Sequence, residues 1–154
     1  MPLRHGGVHA RGSLTLSDVI ESVREHPDYR KVGAMALFIG VVRGETRKGE
    51  SVSRLELEAY DEKGNEVLEK ICQDLKRKKG IVDVQIHHFT GTFDLGEDLI
   101  YVLVAGGHRE SVFPVLREAV ERYKKEAPIF KKEHIRNQKG KVRSYWVSET
   151  RARE

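Results

Sequence analysis

Residues 124–134, KKEAPIFKKEH, set paired lysines on both sides of an Ala-Pro corner, with apolar Ile129 and Phe130 between them. Lys124 falls in the last turn of a helical stripe that Pro128 must end. A cation there meets the negative end of the helix dipole, which is sufficient reason for it to be present. Strand alternation after the corner sends Lys131 and Lys132 to opposite faces, so one of them can share a pocket behind the bend. If that residue is Lys131, two amines from different elements repel one another at one spot. Such an amine is a competent nucleophile or general acid/base near neutral pH.

Two further stretches carry chemistry. In AGGHRES (105–111) an apolar strand runs into Gly106-Gly107, then His108 and Arg109, then a helix. That is either an ordinary strand-to-helix turn or an anion cradle made of unpaired amides, an imidazole and an arginine fork. In GVVR (40–43) Arg43 ends an apolar strand beside a Gly-rich charged loop. It reads as a rim residue with its head in water, or as an anion clamp.

Other polar residues carry less. His87 and His88 are adjacent on a strand and face opposite sides, and no His-x-x-x-His or acidic cluster occurs, so no metal site is expected. Cys72, the only cysteine, sits on an apolar helical stripe and reads as a small core residue; disulfide and dithiol chemistry are excluded. KRKKG (76–80) lacks interleaved aromatics and reads as a solvated helix end rather than a nucleic-acid contact. Trp146 and Tyr145 are open between core and interface.

The elements that must position these residues follow from periodicity. Ser17 is a candidate cap for a short helix carrying Val19, Ile20 and Val23, ended by Pro27. GAMALFIGVV (33–42) reads as a strand buried on both faces, GETRKGES (44–51) as a mobile loop, and SRLELEAY (53–60) as a strand with one wet face. Val67, Leu68, Ile71, Cys72 and Leu75 mark a helix between Asn65 and Lys79, stopped by Gly80. IVDVQIHHF (81–89) and DLIYVLVAGG (98–107) read as strands around a turn bracketed by Gly91 and Gly96. Val112, Leu116, Ala119, Val120 and Tyr123 mark a third helix. IFKKEHI and VRSYWV are strands around an NQKGK turn (137–141). Two strands between successive helices predict an α+β domain with a mixed, largely antiparallel sheet and three helices. One domain over 13–148 is expected, with residues 1–12 unassigned and 149–154 a tail.

The chain has 154 residues, 38% of them apolar and 34% charged, with a formal net charge of +4. That balance fits a globular domain with an anionic partner. No run approaches the roughly 18 apolar residues of a membrane span. The first residues lack the apolar core of a signal peptide, so a cytoplasmic location is expected.

Together, GAMALFIGVVRG, LELEAY, HHFTGTFDLGEDLIYVLVAGGHRESVF and YKKEAPIFKKE, in this order and spacing, resemble the large, catalytic subunit of molybdopterin synthase. The likeness runs from about Gly33 to Trp146. It implies an α/β hammerhead-type fold and an enzyme that turns a cyclic pyranopterin monophosphate (precursor Z) into molybdopterin by installing two sulfurs as a dithiolene. It also implies a small ubiquitin-like partner whose Gly-Gly thiocarboxylate tail supplies the sulfur, a homodimer with a shared site, and no cofactor, metal, nucleic acid or membrane. By the same resemblance Lys124 and Lys131 are the catalytic lysines. Arg43, His108 and Arg109 bind substrate, the His-Arg pair being lent by the neighbouring protomer, and Val42, Lys132 and Glu133 complete the set. The chain departs from the family where Ile129-Phe130 replaces an aromatic pair ending in Trp, where Gly107 replaces an Ala, and where DEKGNEV (61–67) lacks a Met. A non-catalytic module holding an anionic metabolite or acidic tail, and a single-strand nucleic-acid binder, are the competing readings. The first would bind without forming product, and the second would show steep salt dependence.

Overall fold

The computed structural model describes residues 4–136 and 139–148. Asn137 and Gln138 of the predicted turn, the tail 149–154, the first three residues and the side chains of Tyr145 and Ser148 lie outside the described residues. The chain order is β1 (Gly6–Ala10), α1 (Leu16–Arg24), β2 (Ala34–Val41), β3 (Ser51–Ala59), α2 (Asp61–Lys76), β4 (Ile81–Phe93), β5 (Asp98–Gly106), α3 (Arg109–Glu126), β6 (Ile129–Arg136) and β7 (Val142–Ser148). The seven strands form one sheet in the order β2-β5-β4-β3-β6-β7, with β1 added parallel to β4 and every other pair antiparallel. The α+β, largely antiparallel reading therefore holds.

The sheet has two halves joined by β4. Its first part pairs with β5 and its last residues, from Gly91 to Phe93, pair with β3. Gly91 has φ +132°, a value L side chains rarely adopt, and there β4 passes from one half to the other. The turn read between Gly91 and Gly96 is therefore shorter, and Gly91 lies inside the strand. Helices α2 and α3 pack on the β1/β4/β5/β2 half and on each other. Leu68, Ile71, Cys72 and Leu75 of α2 are buried with Val112, Ala119 and Tyr123 of α3. Burial pushes the Cys72 thiol well above its ordinary range, consistent with an inert core residue.

Several boundaries move. Thr15, not Ser17, caps α1: its hydroxyl accepts from the Asp18 amide at 3.1 Å while the Asp18 carboxylate accepts from the Thr15 amide at 3.0 Å, a reciprocal capping box. Helix α2 begins at Asp61, four residues before the expected boundary at Asn65, because Asp61 and Glu62 suit a helix start and Gly64 packs against Val8. Strand β2 was expected to be buried on both faces but lies at the sheet edge, bonded to β5 alone. Met35, Ile39 and Val41 are 38%, 36% and 50% exposed, because α3 covers only the other face. The 44–51 stretch is not an open loop. Thr46 N–H donates to Glu50 O at 2.8 Å and Val52 N–H to Gly44 O at 3.0 Å, making it a closed hairpin tip.

Strand β1 lies in the segment to which no role was assigned. Among the described residues its outer edge faces no strand; α2 side chains satisfy it instead. Asn65 Oδ1 accepts from Val8 N–H at 2.7 Å and Glu69 Oε2 from Gly6 N–H at 2.8 Å. This closes an edge that would otherwise offer free donors. Removing the acceptor with Asn65→Ala should lower unfolding free energy by about 1–2 kcal/mol, the order of an orphaned part-buried donor. Urea denaturation checks it, and an unchanged midpoint would show that Asn65 does not hold the strand.

Candidate active site

The corner is built as its residue types require. Ala127, before Pro128, has left helical geometry at φ −75°, ψ 132°, and α3 stops at Glu126. Arg122 clamps this end of α3 to α2, its guanidinium 3.0 Å from Asp74 and 2.7 Å from Glu126. Lys124, half-buried in this clamped turn, faces strand β6 across a cavity.

Register decides which β6 residues meet it. Lys131, Glu133 and Ile135 pair with Leu57, Leu55 and Val52 of β3, and those three are buried, so this parity faces inward. Phe130 and Lys132 have the opposite parity. Phe130 stacks edge-on to Tyr60 with ring centroids 5.5 Å apart, and Lys132 Nζ lies 5.5 Å above the exposed Trp146 ring. The apolar pair thus splits: Ile129 enters the core and Phe130 does not.

A cavity of about 990 Å³ opens between the end of β2, the 44–50 hairpin, the end of α3 and strands β6 and β7. Val42, Arg43, Lys124, Lys131 and Glu133 all line it. Lys131 Nζ is 3.7 Å from Glu133 Oε1, with both side chains largely sheltered. Lys131 therefore has a carboxylate neighbour as well as a second lysine in the same cavity. Arg43 Nε donates to Glu45 O at 2.7 Å, which fixes its stem at the rim. The predicted residues contribute two amines, a guanidinium and one carboxylate beside a partly apolar floor. Such a set can bind an anion and stabilise developing negative charge.

Three predicted site residues are not in this cavity. Lys132 is on the reverse face for the reason of alternation already given. His108 and Arg109 stand at the other end of α3, about 24 Å from Lys124 at the helical rise of 1.5 Å per residue. Both are exposed, His108 forming the N-cap position without a side-chain cap bond. Gly106 before them has a packing reason of its own, since a Cβ there would sit 2.5 Å from Gly80 O.

Other cavity residues were not foreseen. Arg47 and Lys48 come from the hairpin, Arg143 from β7, and His88 and Tyr123 from the floor. The signal for Arg143 was the parity of VRSYWV against IFKKEHI, which depends on the length of the intervening turn. A one-residue slip there would put Arg143 on the other face. A second groove, of about 660 Å³, runs along the β1 edge beside Arg4, Asn65 and Glu69, and none of the predicted chemical residues lines it.

With cavity and topology in place, comparison with known proteins is decisive. The MoaE protein family model matches residues 10–126. The chain belongs to the MoaE family. Among its family relatives is a molybdopterin synthase catalytic subunit from Bacillus subtilis, 34% identical over 73% of this chain and 71% of that protein. A probable molybdopterin synthase from Haloferax volcanii is 32% identical over 87% of this chain, which spans only half of that relative's length. The structure of molybdopterin synthase from Staphylococcus aureus superposes with TM-score 0.78 at 25% identity, covering 94% of this MoaE chain and 98% of that one. A complex of subunits 1 and 2 of molybdopterin-converting factor from Helicobacter pylori shares the fold, with TM-score 0.68 at 22% identity over 86% of each chain. These structures carry the hammerhead-type α+β fold. No helix among the described residues is long and apolar enough to cross a membrane.

Proposed function

We propose that the chain is the sulfur-transferring, catalytic subunit of a molybdopterin synthase, acting in molybdenum cofactor biosynthesis on a cyclic pyranopterin monophosphate. The observation that carries this reading is the convergence of Lys124, Lys131 and Arg43 on one cavity from α3, β6 and the end of β2. A small ubiquitin-like subunit threads its C-terminal Gly-Gly thiocarboxylate into the cavity and supplies one sulfur, so two thiocarboxylated tails are consumed for each dithiolene. External sulfur suits a protein whose one cysteine is buried and protonated.

Each residue has a role that follows from its charge and place. The amines of Lys124 and Lys131 face the thiocarboxylate carbonyl. Once the thiocarboxylate sulfur has bonded to the pterin, water adds to the carbonyl, and the lysine charge stabilises the tetrahedral oxyanion. That oxyanion breaks the C–S bond and leaves the sulfur on the pterin and a carboxylate on the small subunit. Glu133 orients Lys131 from 3.7 Å. Arg43 and the apolar Val42 hold the substrate at the rim. His108 and Arg109 cannot reach their own cavity, so they bind the phosphate from a second copy, in a homodimer whose two sites each draw on both protomers. The enzyme works in the cytoplasm, where its thiocarboxylated partner is made.

The test mixes this chain with a thiocarboxylated small subunit and the pterin monophosphate and weighs the products. Molybdopterin, carrying two new sulfurs, is expected, together with a free carboxylate on the small subunit. Stable binding of both ligands with no product would defeat the proposal and leave a binding module.

A further inference from the structure

The side of the cavity opposite α3 and β6 is the 44–50 hairpin, and an ion pair ties that hairpin to β7. Glu50 Oε2 is 2.5 Å from Arg143 Nη2 on β7. Glu50 is also part of the hairpin closure: its carbonyl accepts from Thr46 N–H, and its own N–H donates to Thr46 Oγ1 at 3.1 Å. Glu45 pairs with Ser51 across the tip, and Glu45 O holds Arg43 Nε at 2.7 Å. A continuous set of bonds therefore runs from Arg143 through Glu50 and the hairpin backbone to Arg43.

Charge gives that set of bonds a purpose. Two of the cavity's cations, Lys131 and Arg143, have carboxylates at ion-pair distance. Among the described residues the other cations of its wall, Arg43 at the base of the hairpin, Arg47 and Lys48 on it and Lys124 opposite, have none. Most of the uncompensated positive charge facing an anionic ligand therefore rides on the hairpin, and its location depends on how the hairpin is held.

We infer that Arg143 is a positioning residue for this cavity: through Glu50 it holds the 44–50 hairpin as a wall, so that Arg43, Arg47 and Lys48 present their charge to an anionic ligand. The inference rests on the sulfur-transfer reading for the identity of that ligand, a phosphate-bearing pterin, and on geometry alone for the strap. Arg143 is 67% and Glu50 31% exposed. Exposed pairs of this kind are worth roughly 0.2–1 kcal/mol, which sets the expected effect at a factor of about 1.5–5.

Three variants decide it: Arg143→Ala, Arg143→Lys, and the charge exchange Glu50→Arg with Arg143→Glu. In Arg143→Ala, amide hydrogen exchange at Thr46, Glu50 and Val52 should quicken about threefold. The KM for the pterin monophosphate should rise by a similar factor, more than kcat falls. The charge exchange should restore both, and Arg143→Lys should fall between. Faster exchange with unchanged KM overturns the inference. So does a KM that rises in Arg143→Ala and stays high after the charge exchange, because Arg143 would then act on the ligand by its own charge. Affinity for inorganic phosphate, measured on the same variants, reads the strap without turnover. A wild-type protein that makes no molybdopterin therefore counts against the proposed function, while a phosphate affinity that ignores both substitutions counts against the strap.

Discussion

Lys124→Ala should abolish dithiolene formation, lowering turnover at least a hundredfold, while the folded structure and the complex with the small subunit persist. The size follows from what the amine is placed to do. Removing one preorganised group aimed at developing negative charge lowers rates by about 10²–10³ in sites shielded from water. The amine of Lys124 lies beside Lys131, Arg43 and Glu133 in a cavity partly open to solvent, so the lower end of that range is expected. The structural consequence is much smaller. Lys124 is half-buried in the last turn of α3, so its loss removes a helix-dipole interaction of about 0.3–1 kcal/mol. The Arg122 clamp to Asp74 and Glu126, which holds this turn against α2, is untouched. Activity and stability should therefore separate by more than an order of magnitude in effect. The readout is single-turnover product formation by mass, beside a thermal melt and co-elution with the small subunit. Near-normal turnover in this variant would refute the assignment. Lys124→Arg keeps the charge and removes the compact amine. Recovery of turnover there assigns Lys124 an electrostatic role, and an Ala-like loss assigns it a covalent one.

What made Lys124 legible was local. Pro128 ends the helix, Ala127 turns the chain, and alternation beyond the corner puts Lys131 and Glu133 on one face and Lys132 on the other. Each step needs only a few neighbouring residues. The α2 and α3 stripes and the central strand β5 were legible for the same reason, since their apolar periods run over many residues. Edges and partners were not. An apolar run such as β2 does not reveal whether a neighbour lies on each side, and here it is an edge strand with Ile39 and Val41 exposed. Strand β1 carries two glycines and one titratable residue, His9, in five positions; its place depends on Asn65 and Glu69, some 57 and 63 residues away. The strap between Glu50 and Arg143 spans 93 residues and a hairpin register that no local pattern fixes. Long-range polar pairing was the part hidden in the sequence, and it shapes the rim of the site more than its centre.

The same kind of pairing gives the fold an acid limit. His87 is fully buried on β4. Its Nε2 lies 2.8 Å from Gln85 Oε1, an atom that only accepts, so Nε2 carries hydrogen and donates. Its Nδ1, 2.9 Å from His9 Nε2 on β1, is then the acceptor of the neutral ring. Gln85 is held in turn by Asp83 at 3.0 Å and by Ser22 of α1 at 2.8 Å. Protonating His87 would place a charge in a desolvated site and set two N–H groups against each other. Burial, and next the neighbouring His9 and His5, lower its pKa from 6.5 to about 3. Because the folded value lies below the unfolded one, the unfolded chain binds the proton first. The neutral form's stabilisation is complete above pH 6.5 and is lost as pH falls from there towards about 3. Across that whole window the loss amounts to about 5 kcal/mol at most, and to about 2 kcal/mol between pH 6.5 and 5. The carboxylates with lowered pKa, Glu69 and Asp74 among them, act in the same direction, but from their ordinary values near 4 downwards, so the upper part of the window belongs to histidine. Burial depresses His9 as well, adding to the same limb. Urea denaturation at half-unit steps from pH 7.5 to 5 should show the wild-type midpoint falling steadily below 6.5. His87→Gln, which keeps an amide for Gln85 and His9 but cannot titrate, should flatten most of that fall; a slope equal to wild type would remove His87 as its source.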